Sequence, residues 1–436
     1  MKSRILEFKD SGIAWIGQIP KHWEAIRNKY VFTHKKEIVG SKFKNFDILS
    51  LTKNGIKIIV ESDQKGKVPD SFETYQIVKK DDIVMCLFDL DVSAVFSGIS
   101  KYSGIISPAY KIFNPKENLN FKFAGYFFDF VFVNRKFKQY SKNIRFTLGT
   151  DEFMNLKIPL PPLDEQKKIA EFLDKKCEII DKRVENLERK INTLKEYKKS
   201  LISECVTKGL NSRILEFKDS KIPWIGQIPK HWEISKIKYY FNFSSGLNIT
   251  KENLIESGIP VISYGQIHSK ENTGTFIKDS FFRFISQDYL KNKKSLVNKG
   301  NFIFADTSED LDGAGNSVFV DLDLTMFAGY HTIILKNKCN FEFSKFLSYL
   351  FQTDLWRSQI RLAVSGVKVF SITKKILANC EILVPPLNEQ KEIAEFLDKK
   401  CEKIDRLNEN YTKQITTLKE YKKSLIYECV TGKKEI

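Results

Sequence analysis

Two stretches of the chain carry a heptad pattern. From Asp164 onward Leu173, Ile180, Leu187, Leu194 and Leu201 recur at every seventh position, with Ala170, Cys177, Val184, Ile191 and Cys205 three before or four after them. That a/d spacing predicts a coiled-coil helix. The pattern returns at Leu397, Ile404, Tyr411, Leu418 and Leu425, with Asn408 and Tyr411 where Val184 and Leu187 stood. A polar residue at an a position fixes register at some cost in stability. Lys198 and Lys422 also take a positions, where the stem packs while the ammonium reaches water. Asp164 and Asn388, each after a Pro-Pro-Leu turn, are expected N-caps, and Gly209 and Gly432 expected C-caps. About 40 helical residues at ~1.5 Å rise make each rod on the order of 60 Å long.

Elsewhere the apolar runs are short and bounded by turn residues. Asp47 to Leu51, Ile56 to Val60 and Ile83 to Phe88 read as strands, as do Val261 to Ser263, Phe302 to Ala305, Ser317 to Val320 and Thr332 to Leu335. Phe121 to Phe137 and Phe343 to Leu362 read as helices carrying Arg135, Lys136, Arg357 and Arg361. Each of these regions is therefore expected to be a mixed α/β domain.

The two halves repeat. SRILEFKDSGIAWIGQIPKHWE (Ser3 to Glu24) returns as SRILEFKDSKIPWIGQIPKHWE (Ser212 to Glu233), differing only at Gly12/Lys221 and Ala14/Pro223. PPLDEQKKIAEFLDKKCE from Pro161 returns as PPLNEQKEIAEFLDKKCE from Pro385, and LKEYKKSLISECVT from Leu194 as LKEYKKSLIYECVT from Leu418. The middles, roughly Ala25 to Lys157 and Ile234 to Ile382, share little that aligns by eye, and the second is longer. Near-identical ends around unlike middles imply one job done twice beside two different jobs; duplication with patchy exchange is the alternative. The expected fold is two globular α/β domains joined and spaced by two long antiparallel coiled-coil helices about a pseudo-two-fold axis. Residues 1–157 and 211–382 are the domains, and 158–210 and 383–436 the helical segments.

Charge points to a partner. Lys plus Arg number 71 against 54 Asp plus Glu, a formal net charge of +17 over 436 residues. Such a balance attracts nucleic acid, although an AT-rich genome also enriches lysine. Cys86, Cys177, Cys205, Cys339, Cys380, Cys401 and Cys429 form no CxxC pair, and no two histidines stand at metal-site spacing. A reduced, cytoplasmic chain without metal is expected, and Cys177, Cys205, Cys401 and Cys429 are expected to be seam packers. No signal segment or membrane span is expected, the longest apolar stretch, Phe123 to Val133, being short and interrupted by Asp129.

Catalytic motifs are missing from the sequence. The Pro-Pro-Leu segments lack the polar and aromatic ends that an amino-methyltransferase needs to hold its base, and no GxxxxGK[ST] or strand-borne GxGxxG occurs, so no cofactor is expected. The acidic run Asp306 to Asp310 raises a Mg²⁺-nuclease alternative. For DNA contact, Arg135, Lys136, Lys138, Lys142 and Arg145 form the densest basic stretch of the first domain, interleaved with Tyr140 and Phe146. Arg145 is the leading base-reading candidate, since a guanidinium grips guanine O6 and N7 together; a phosphate clamp or a solvated charge is at least an equal alternative. Lys53, Lys101 and Tyr102 follow. In the second domain the candidates are Tyr264, Gln266, His268, Ser308, Glu309 and Lys368. Gln can pair bidentately with adenine, and Glu can accept from cytosine N4.

These residues resemble a known family. IPLPPLDEQ from Ile158 with IAEFLDKK, and the doubled WIGQIPKHW at Trp15 to Trp23 and Trp224 to Trp232, are similar to the specificity (S) subunits of Type I restriction-modification systems. DLDVSAVFSGISKYSGIISPAYKIF in the first middle, and GNFIFADTSEDLDGAG, AGYHTIIL and SGVKVFSI in the second, look like two of that family's recognition-domain types. The resemblance spans essentially the whole chain. It implies a non-catalytic subunit whose two domains each read half of a split, asymmetric target on double-stranded DNA. The helices would set the spacing and dock two DNA-adenine methyltransferase (M) subunits, and restriction/translocase (R) subunits join the complex. It also implies a loop reading for the acidic run. A stand-alone DNA-binding regulator and a single-chain restriction enzyme are the competing readings.

Overall fold

The computed structural model describes residues 7–52, 55–59, 71–90, 97–141, 146–211, 216–338, 340–364, 366 and 369–436. In chain order its α-helices are α1 (Phe121–Val133), α2 (Thr150–Asn155), α3 (Leu163–Lys208), α4 (Ile237–Tyr240), α5 (Tyr264–Ile267), α6 (Phe341–Leu350), α7 (Asp354–Ala363), α8 (Lys374–Asn379) and α9 (Leu387–Val430). Among the described residues no helix is long and apolar enough to cross a membrane. The chain divides into two compact units, Met1–Glu188 with Thr412–Ile436, and Arg189–Tyr411. Each unit thus combines one middle domain with parts of both long helices.

In the first unit an antiparallel sheet runs in the order Phe32–Lys35, Lys111–Pro115, Ile83–Met85, Ser97–Ile99. Separate pairs are added by Glu24–Arg27 with Lys157–Leu160, by Leu49–Thr52 with Gly55–Ile58 and by Gln76–Val78 with Gly104–Ile106. The phenylalanine-rich composition builds the core: Phe32, Phe113, Phe128 and Phe153 are all buried, with Phe113 and Phe153 centroids 4.6 Å apart. Helix α1 is capped by Asn120, whose side chain accepts from the backbone N–H of Lys122 and Phe123. It stops at Val133, short of the expected Phe137, because Arg135 turns left-handed (φ 53°) and Lys136 N–H returns to the Val131 carbonyl. That is a Schellman stop with arginine in the place glycine usually takes.

The second unit has the same plan. Its sheet order is Phe241–Ser245, Thr332–Asn337, Phe302–Ala305, Ser317–Phe319, and Glu233–Lys236 pairs with Glu381–Val384. The middles that share little sequence therefore share a four-stranded order, because inward apolar positions can be refilled while strand pairing is kept. A second sheet, Arg283–Ile285, Ile259–Ile262, Met326–Ala328, Leu296–Val297, has its counterpart in the first unit, where a parallel bridge between Ile48 and Ile105 joins the Leu49–Thr52 and Gly104–Ile106 pairs. The single helix expected over Phe343 to Leu362 is two, α6 and α7, since Thr353 takes an extended backbone and caps α7 at Trp356 N–H. Trp356 then packs its ring 4.2 Å from Phe351.

The long helices follow the heptads. Leu173, Ile180, Leu187, Leu397, Ile404 and Leu425 are buried, whereas Leu194, Leu201, Tyr411 and Leu418 are half-buried. A two-helix seam alone leaves its side chains partly open, and the outer turns are covered by the domains as well. Both helices start two residues earlier than N-caps at Asp164 and Asn388 imply, at Leu163 and Leu387, which places Asp164 and Asn388 in the first turn rather than at the caps. Gly209 (φ 72°) and Gly432 (φ 71°) do end them. Pairing within each unit is antiparallel: Asp181 accepts from Lys422 at 2.7 Å in the first, and Asp405 from Lys198 at 2.7 Å in the second. Lys198 and Lys422 thus extend to a carboxylate rather than only to water. The seam cysteines are buried, and burial raises every thiol, Cys205 and Cys401 to about 11 and Cys429 to about 12. They remain protonated packing groups.

Candidate nucleic-acid interface

The repeated motifs meet as a clamp that fixes each domain to its helix. In the first unit Glu165 accepts from His22 Nε2 (2.9 Å) and Trp23 Nε1 (3.0 Å); in the second Glu389 accepts from His231 Nε2 (2.6 Å) and Trp232 Nε1 (3.0 Å). The next residue of each motif, Gln166 or Gln390, is buried and donates to the carbonyl of Pro161 or Pro385. The lead therefore has histidine and tryptophan because the helix start offers a carboxylate, and the Glu-Gln pair satisfies groups that burial would otherwise leave unpaired.

A second clamp lies inside the divergent middles. Lys122 and Tyr126 on α1 both bond Asp174, and Lys345 and Tyr349 on α6 both bond Asp398. Burial and the adjacent carboxylate push both phenols well above their usual range. Phe123 meets Trp23 edge-on at 6.5 Å and Phe346 meets Trp232 at 6.2 Å. Sequence reasoning missed these residues although a signal existed: both helices read Lys-Phe-x-x-Tyr.

Of the first domain's candidates, Arg135 is exposed and Lys136 half-buried just beyond the stop of α1, and Lys138 lies over the Phe146 ring at 4.2 Å. Lys101 and Tyr102 are exposed on the loop after the Ser97–Ile99 strand. Lys101 lines a groove of about 1110 Å³ with Lys80, Lys422 and Lys423 but also Asp129, Asp174 and Asp181, a mixed lining that does not track a phosphate backbone. Lys53, Lys142 and Arg145 lie outside the described residues, as does Lys368 of the second domain.

The second-domain candidates fall into two groups. Tyr264 and Glu309 are exposed. Gln266 turns its carbonyl back to Ser263 N–H (3.0 Å), and buried Ser308 donates to the Asp310 carbonyl (2.7 Å). His268 spends both ring nitrogens internally, on the Thr307 carbonyl (2.8 Å) and the Asn316 side-chain amide (3.1 Å). Asn316 in turn accepts from Arg357 (2.7 Å), whose guanidinium desolvation lowers to about 10 while leaving it charged at neutral pH. Arg357 is therefore internal scaffolding, although the sequence placed it on a basic helix.

The family model described as Type I restriction modification DNA specificity domain matches twice, over residues 20–196 and 229–417. The chain belongs to the Type I restriction-modification specificity family. Each match covers one domain and the greater part of its following helix, so the repeat seen in sequence is a repeat of the specificity module. The MjaVIII specificity subunit of Methanocaldococcus jannaschii is 28% identical over 64% of this chain and 63% of its own length, so that alignment spans less than two thirds of that relative. The putative MjaX specificity subunit of the same organism is 26% identical over 96% of this chain and 95% of its own. A chain solved in work on complex assembly and conformational transition of the type I R-M system shares the fold, with TM-score 0.67 and 15% identity over 95% of this chain and 99% of that one. Set within the specificity family, the clamps are the parts of the module that repeat, and the exposed loops are the parts that differ.

Proposed function

We propose that this S-family chain is the non-catalytic DNA-reading subunit of a Type I complex. Each domain reads one half of a bipartite, asymmetric target on double-stranded DNA. The long helices dock two DNA-adenine methyltransferase subunits, through which restriction/translocase subunits join. One observation carries the reading: the family module occurs twice, with its anchoring contacts repeated and its exposed loops different. A net charge of +17 suits a polyanion partner. The base-reading set in this reading includes exposed Lys101, Tyr102, Arg135, Tyr264 and Glu309.

The test is domain exchange in the assembled complex. Replacing 234–382 with the middle of a related subunit, and mapping methylated adenines, is expected to change one half of the motif while the other half and the spacer persist. Both halves changing together would overturn independent reading. The purified chain alone is expected to show no methyltransferase, nuclease or ATPase activity.

A further inference from the structure

In the second domain the chain crosses between sheets in three residues, Gly329 to His331, from the strand Met326–Ala328 to the strand Thr332–Asn337. The crossing is held by close approach of two other loops. A Cβ at Gly246 would lie 2.0 Å from the Gly329 carbonyl oxygen, and one at Gly329 would lie 2.2 Å from Ser263 Oγ. Backbone bonds lock the same loops: Leu247 N–H to the Ala328 carbonyl (2.8 Å), Gly329 N–H to Ile262 (2.8 Å) and Tyr264 N–H to Tyr330 (3.2 Å). His331 is forced left-handed (φ 53°), an uncommon conformation for a residue with a Cβ.

The forced residue is displayed rather than buried. Its side chain is 37% exposed, with Tyr330 at 3.9 Å and Tyr264 at 5.6 Å, both rings themselves open to solvent. It lines a cavity of about 350 Å³ shared with Asn248, Asp306 and Lys374. His331 Nδ1 is 2.9 Å from Asp306 Oδ1. Asp306 is itself pinned, its N–H to the His331 carbonyl (3.1 Å) and its carbonyl to Ile372 N–H (2.7 Å). A neutral imidazole that donates Nδ1–H to this carboxylate keeps Nε2 as an acceptor. Among the described residues Nε2 has no hydrogen-bond partner, whereas His268 has both nitrogens engaged.

We infer that His331 is a base-contacting residue of the second domain, its Nε2 accepting from an exocyclic amino group, adenine N6 or cytosine N4, in the major groove. Those amino groups are the donors that the major groove offers. A phosphate would meet an acceptor nitrogen beside a carboxylate, a combination that repels it. Asp306 is the positioning residue that sets the tautomer, and Tyr264 and Tyr330 wall the contact. This inference rests on the DNA-reading proposal.

The test uses the full chain assembled with its cognate methyltransferase subunits, acting on a DNA library randomised across the target. His331→Gly removes the ring and suits the left-handed backbone, so the variant is expected to fold with an undiminished melting temperature. It should relax preference at one position of the half-target read by the second domain by roughly 10-fold, a single-contact loss, and leave the first half unchanged. Asp306→Ala should weaken the same position. Unaltered stringency in His331→Gly, or an equal loss on all sequences with a smaller salt slope, overturns the inference. A wild-type complex that methylates no split motif overturns the DNA-reading proposal itself, and this contact with it.

Discussion

Replacing Glu165 by alanine tests whether the repeated lead holds its domain to α3. Trp23 is 1% exposed, and its indole N–H donates to Glu165 Oε1 at 3.0 Å, so the substitution leaves a buried donor without its acceptor. That costs about 1–3 kcal/mol. The His22 contact adds little, its side chain being 50% exposed and the pair screened by solvent. For a unit of this size each kcal/mol moves the midpoint by roughly 2–4 °C, so calorimetry of the full chain is expected to show a fall on the order of 5 °C in the first unit's transition. The decisive measurement is the double-mutant cycle with Trp23→Phe. Phenylalanine keeps an aromatic edge toward Phe123 but removes the donor, so Glu165→Ala in that background should cost only the exposed histidine contact, a coupling of about 1–2 kcal/mol. Equal costs in both backgrounds would refute the clamp. Glu389 with Trp232, which is fully buried, should behave the same way in the second unit.

Arg135→Gly should stabilise the first unit by about 1 kcal/mol, by relieving a left-handed arginine, while lowering DNA affinity; thermal unfolding and a binding titration read the two effects separately. Tyr349→Phe should cost about 1–2 kcal/mol by urea unfolding, and Tyr126→Phe less, because Tyr349 is the more deeply buried of the two. Lys198→Glu should destabilise the helix pair, and adding Asp405→Lys should recover about 1 kcal/mol as a reversed ion pair; no recovery would mean the 2.7 Å contact is not energetically coupled. One heptad inserted after Leu187 and after Tyr411 lengthens each helix by about 10 Å and should widen the spacer of the methylated motif by roughly three base pairs, as read by methylation mapping.

The sequence alone determined what depends on local periodicity and on self-comparison. Heptads at Leu173 to Leu201 and at Leu397 to Leu425 are visible because a helix repeats its face every few residues, and the doubled WIGQIPKHW and PPLxEQ blocks are visible without any structure. Strands such as Phe302–Ala305 were legible because short apolar runs end at turn residues. Gly209 and Gly432 gave away the ends of the long helices, but ends without glycine were not legible: Arg135 stops α1 by a backbone conformation that its side chain does not advertise, and Thr353 splits a continuous apolar pattern into α6 and α7. Tertiary structure alone decided the roles of polar residues. His268, Ser308 and Arg357 have suitable chemistry for DNA, yet their partners, drawn from distant segments, consume it internally. His331 was no candidate in the sequence, and only the fold brings Asp306, Tyr264 and the Gly246 loop together around it. A polar side chain acquires its function from which of its hydrogen-bonding atoms the fold leaves unpaired, and that depends on contacts between segments far apart in the chain.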